Sequence, residues 1–196
     1  SYTFTPQAPK SWNSNINEWL SSLDIEKVMK QYEHVHKNFT FLGPSPIDFD
    51  SNTLYGECVW DELCHFNLHR LIKKGKTKIG IVFNLDEHWK GGSHWVSLYI
   101  DTKKKVICYF DSAGDDIPKE IDILKDRIIT QGKSLGIKFR FDKNFPIEHQ
   151  YENTECGVYS IYFITEMIKN PSFERFKKKR IPDKEMEKMR SVFFRI

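Results

Sequence analysis

Hydrophobic and polar positions along the chain follow two alternating periods. "KIGIVFN" (78–84), "HWVSLYID" (94–101) and "VICYFDS" (106–112) are short runs rich in Val, Ile and aromatic residues, the pattern of strands. "IKFRFD" alternates Ile137, Phe139 and Phe141 with basic residues and predicts a fourth strand. Elsewhere the spacing is helical. Trp60, Cys64, Leu68 and Leu71 recur at helical intervals in "ECVWDELCHFNLHRLIKK", which predicts one amphipathic helix closed by Gly75. "PKEIDILKDRIITQGK" opens at Pro118, "GVYSIYFITEMIKN" is ended by Pro171, and a last helix runs from Pro182 and Asp183 to near "VFFRI". Nearer the start, "NINEWLSSL" and "DIEKVMKQYEHV" predict two short helices, the second opening at Asp24. "FLGPSPIDFD" reads as a loop, because Pro44 and Pro46 lack backbone donors. Residues 1–13, with Pro6 and Pro9, read as irregular surface chain. The order of helices, strand block, helix, strand, helix, helix predicts an α+β fold with a mixed or antiparallel central sheet flanked by helices.

Composition narrows the class. The 196 residues are 39% hydrophobic and 14% aromatic with both charge signs interspersed, which suits a folded globular domain with a substantial core. A net charge of +3 is too small to argue for nucleic acid. No apolar run approaches the roughly 18 residues of a membrane span, and "SYTFTPQAPK" has no signal-peptide core. The chain opens at Ser1 without methionine, as a processed protein or a piece of a longer one would. Its four cysteines, in a chain of this size without a secretory signal, are expected as reduced thiols in a reducing compartment.

The second and third strands flank the polar "DTKKK", a hairpin turn. With the turn centred on Thr102 and Lys103, opposed residue numbers sum to about 205 and His94 faces Asp111 directly, on the face carrying Val96, Leu98, Ile107 and Tyr109. Shifting the turn by one residue would break that match. Fifty residues on, "HQYENTECGVYSIYF" sets Cys156 at a helix start, with Thr154 as cap; there free N–H groups and the helix dipole favour a thiolate. Gly157 leaves room for a substrate backbone, and Gln150 can offer a side-chain N–H to a tetrahedral intermediate. Asp111 could hold one nitrogen of His94 and leave the other for the thiol.

"HW" opening a strand, "YFDS" closing the next and "Q-x5-C-G" before a helix resemble the SUMO-protease and adenovirus-protease superfamily of cysteine peptidases. Its catalytic order of His, Asp or Asn, Gln, Cys is met by His94, Asp111, Gln150 and Cys156. "GPSPIDFD", "YFDSAG", "TECGVYSIYF" and "FFRI" look most like the polyprotein-processing proteases of large cytoplasmic DNA viruses of the African swine fever virus type, though with Asp111 where that type carries asparagine. The resemblance implies a papain-like fold, with residues 1–40 as an N-terminal helical extension and 41–196 as the catalytic domain. It further implies an endopeptidase processing viral core or capsid precursors at Gly-Gly-type sites, with Trp95 and Gly157 at the substrate groove. The partner is then a polyprotein with a glycine-rich cleavage site, and the place of action the host cytoplasm and virion. A SUMO- or ubiquitin-like-protein isopeptidase is the alternative, and a catalytically silent binding module of the same fold a second.

Other residues have simpler readings. Cys108 lies mid-strand and is expected to pack; His88 sits in the polar loop "LDEHWKGGS", and His149 beside Gln150 is taken as incidental. Trp95 can serve core and groove together. Cys58, Cys64, His65 and His69 lack zinc spacing, the two cysteines falling on different faces of the predicted helix, so no metal and no cofactor are expected. "KKKR", Lys177 to Arg180, reads as a solvated helix end, with DNA binding the lesser alternative.

Overall fold

A computed structural model describes residues 5–196. Its centre is a five-stranded mixed sheet, β1 (Phe39–Pro46), β2 (Lys78–Asn84), β3 (Trp95–Asp101), β4 (Val106–Phe110) and β5 (Arg140–Lys143), in that spatial order. The two outer pairings, β1 with β2 and β4 with β5, are parallel; β2–β3 and β3–β4 are antiparallel. The helices are α1 (Ser22–Val35), α2 (Asp61–Cys64), α3 (Leu68–Lys73), α4 (Lys119–Ser134), α5 (Cys156–Lys169), α6 (Arg175–Lys178) and α7 (Asp183–Phe193). Among the described residues no helix is long and apolar enough to cross a membrane.

The near-continuous apolar runs of β2, β3 and β4 follow from burial on both faces. Alternation divides them between two cores. Trp95, Tyr99, Cys108 and Phe110 face a cluster with Ile25, Val28 and Met29 of α1, the apolar side of α5, and Phe193 of α7. Val96, Leu98, Ile100, Ile107 and Tyr109 face Leu63, Leu68 and the Ile121, Leu124, Ile128 stripe of α4. The result is an α/β/α sandwich with α5 laid across β3 and β2. It lies so close to β2 that a Cβ on Gly80 would stand 2.8 Å from the Ile164 side chain. No larger residue fits there unless the Ile164 and Phe39 side chains give way.

Several elements differ from the sequence reading. "NINEWLSSL" is not a helix: Leu20 and Ile16 give their carbonyls to Trp95 Nε1 and Arg190 Nη1, acceptors a helix would have used itself. One helix follows, opened by a capping box in which Ser21 is the cap and Asp24 its reciprocal partner. The proline-rich stretch is strand rather than loop. β1 is an edge strand, where Pro44 and Pro46 are tolerated, and its pairing breaks between Leu42 and Ser45. The long helix proposed over 57–74 is two short ones, because Asn67 caps α3 and Gln131 of α4 bonds both Leu68 N and Phe66 O at the break. The fourth predicted strand is confined to Arg140–Lys143, and the helix end read at Lys177–Arg180 corresponds to a short separate helix, α6.

Cys58 and Cys64 are joined in a disulfide, which corrects the expectation of reduced thiols throughout. Cys58 is not helical. It ends a small hairpin bridged to Asn52, which folds back onto α2 and leaves the two Cα atoms 6.3 Å apart. His65 completes a trio whose donor atoms lie within 4.8 Å of one another, but bonded sulfurs offer no thiolate to a metal.

Candidate active site

The hairpin register is shifted from the expected one. Ser97 faces Phe110 and Leu98 faces Tyr109, so opposed numbers sum to 207. Asp101 Oδ1 accepts from the N–H groups of Lys103 and Lys104 and draws the turn one residue further along. The direct His94–Asp111 match is therefore lost. The pair itself is not, because moving the turn by one residue moves every partner by two and preserves the face. His94 and Asp111 each lie one residue outside a strand, at the same end of the sheet, and His94 Nε2 stands 2.7 Å from Asp111 Oδ1. Asp111 is 1% exposed, which keeps the pair largely out of water.

With Nε2 engaged by Asp111, Nδ1 is the nitrogen left over. Burial opposes a charge on His94. Hydrogen bonds to Asp111 and Cys156, together with their negative charge, outweigh it and push the imidazole pKa up to about 10. The ring thus keeps its proton at neutral pH. Cys156 is the first residue of α5, the helix N-terminus expected for it, although the preceding cap position is Glu155 rather than Thr154. Cys108, by contrast, is a packed thiol whose pKa is pushed up to about 12 by burial and then by the charge of Asp142.

Three supports carried no signal at the sequence level. Asn144, fully buried, accepts from Asp111 N through Oδ1 and donates to Asp111 O through Nδ2, fixing the backbone of the carboxylate's residue from both sides. Glu155, directly before Cys156, is fully buried against Arg190 of α7, whose Nε and Nη2 both lie 2.9 Å from its carboxylate oxygens. His149, taken as incidental, is a fully buried strut: Nε2 donates to Phe176 O at 2.7 Å and Nδ1 accepts from Ile181 N at 2.9 Å. Burial, and then the nearby Arg180 charge, lower its pKa, in keeping with a neutral ring. Gln150 is buried, with its Oε1 2.6 Å from Ser112 Oγ.

A cleft of about 640 Å³ opens beside the site, walled by Trp19, Leu20, Pro44, Trp60, Asn84 and Trp95. Neither His94 nor Cys156 lines it; Trp95 links the two regions. Its Cδ1 would stand 3.2 Å from a Cβ on residue 157, and Leu20 Cβ would stand 3.0 Å away. The space freed by Gly157 is thus filled by Leu20 and Trp95. His88 pairs with Asp48 in the loop above and does not join His94. Of the basic run, Lys177, Lys178 and Arg180 are paired with carboxylates of Asp142, Glu174 and Asp183.

Residues 76–195 match the Ulp1 protease family, C-terminal catalytic domain. The chain is 31% identical over 196 residues to a protein named as a thiol protease in Acanthamoeba polyphaga mimivirus, of which it spans 61%. It is 32% identical over 194 residues to a protein named SUMO-1 cysteine protease in African swine fever virus, spanning 67% of it. The crystal structure of the African swine fever virus protease superposes with a TM-score of 0.81 at 25% identity, over 98% of this chain and 72% of that one. The match thus includes β2 to β4, α5 and all four of His94, Asp111, Gln150 and Cys156, and the chain belongs to the Ulp1 protease family of cysteine peptidases.

Proposed function

We propose that the protein is a cysteine endopeptidase in which Cys156 is the nucleophile, His94 its general base and acid, Asp111 the group that orients and charges His94, and Gln150 with the Cys156 N–H the oxyanion donors. The observation that carries this reading is the His94 Nε2–Asp111 Oδ1 pair at 2.7 Å, with Cys156 at the start of α5 near enough to contribute to raising the His94 pKa to about 10. The Cys156 thiolate attacks the scissile carbonyl, and negative charge moves to the carbonyl oxygen. His94 gives its proton to the leaving amine as the carbon–nitrogen bond breaks, and a thioester remains. Water, deprotonated by His94, then adds to the thioester carbonyl; the carbon–sulfur bond breaks, the acid is released, and the Cys156 thiolate is restored beside protonated His94.

The cleft beside Trp95 is the place assigned to the substrate, because Trp95 joins it to the His94 end of β3. The preference for Gly-Gly-type sites in a viral polyprotein rests on the resemblance to viral proteases of the African swine fever virus type, supported by the similarity to that virus's protease. The name of the African swine fever virus relative, SUMO-1 cysteine protease, favours a second reading in which the substrate is a ubiquitin-like protein. Two substrates separate them: peptides spanning a Gly-Gly site in a polyprotein context, and a ubiquitin-like protein bearing a thiol-reactive C-terminal tail. The endopeptidase reading predicts cleavage of the first and no labelling by the second. Replacing Cys156 by Ala should lower turnover by on the order of 10⁴-fold; unchanged turnover would remove Cys156 as the nucleophile.

A further inference from the structure

Ser112 has no part in the chemistry above, yet it is tied to Gln150 at both ends. Its Oγ lies 2.6 Å from Gln150 Oε1, and its carbonyl accepts from the backbone N–H groups of His149 and Gln150, both at 2.8 Å. Ser112 is 1% exposed and Gln150 6%, so water competes little for these bonds.

The two ends of a primary amide are chemically opposite. Nε2 can stabilise an oxyanion, whereas Oε1 would repel it, so a glutamine contributes only in one of its two orientations. A hydroxyl that donates to Oε1 selects that orientation and turns Nε2 away from itself. Among the described residues no acceptor engages Nε2, so its N–H groups are free for the charge that develops during reaction.

We infer that Ser112 is a positioning residue whose hydroxyl locks the Gln150 amide with Nε2 presented to the oxyanion. The inference rests on the oxyanion role proposed for Gln150. It also gives "DS" at the end of β4 a division of labour, Asp111 fixing the imidazole and Ser112 the oxyanion donor.

The test compares wild type, Ser112→Ala, Gln150→Ala and the double variant on a fluorogenic Gly-Gly peptide, together with alkylation of Cys156 by iodoacetamide across pH. Ser112→Ala should lower kcat by about 10- to 100-fold with KM within about twofold, since one misdirected donor costs up to that order. The alkylation profile should not change, because His94 and Cys156 are untouched. In the Gln150→Ala background the serine replacement should cost nothing further. Full turnover in Ser112→Ala, equal losses in both backgrounds, or alkylation falling in step with kcat would each overturn the inference. Full turnover in Gln150→Ala would instead overturn the oxyanion role itself, and the Ser112 inference with it.

Discussion

At His94 burial and pairing pull in opposite directions, and pairing prevails. A neighbouring carboxylate favours the protonated ring, so its removal must lower the His94 pKa from about 10 toward the ordinary imidazole range. Asp111→Asn should therefore slow iodoacetamide alkylation of Cys156 near pH 7 and leave more of the reactivity to a second rise at alkaline pH. An unchanged profile would mean that Asp111 does not set the charge on His94. The pairing of these two residues was legible because it depends on face parity, which survives a misplaced turn. Asn144 and Arg190 were not legible: each acts on a partner more than thirty residues away, and neither belongs to a local pattern.

At the scale of elements, periodicity located β2, β3, β4, α4, α5 and α7 because each buries a regular stripe. It failed at "NINEWLSSL" and β1, where backbone groups are satisfied by distant side chains or by an edge pairing that tolerates proline. The start of α5 depends on such a distant tie. Both members of the Glu155–Arg190 pair are almost fully buried, and removing one leaves the other as an uncompensated interior charge. Arg190→Met should destabilise the fold by roughly 3–5 kcal/mol in a denaturant titration. Restoring the volume while removing both charges, with Glu155→Gln and Arg190→Met together, should recover much of that loss. A single variant as stable as wild type would show the pair to be idle. Likewise Gly80→Val should shift α5 against β2 and lower the melting temperature, since the added Cβ alone has only 2.8 Å of clearance from Ile164.

Across the whole molecule one sheet serves two cores, and β3 contributes alternate residues to both. The halves are thus coupled through a shared strand. Thermal unfolding followed by tryptophan fluorescence, with Trp12 and Trp95 in one core and Trp60 against the other, should coincide with the loss of far-ultraviolet circular dichroism. Two separate midpoints would show that the layers melt independently. The Arg190 clamp gives this coupling an order in time. Chain synthesis delivers Glu155 and Cys156 well before the residue that neutralises their helix start. Until position 190 has emerged from the ribosome, the nascent chain carries a carboxylate with no paired charge to let it be buried at the head of α5. The start of α5 can thus be neutralised only after α7 has been made.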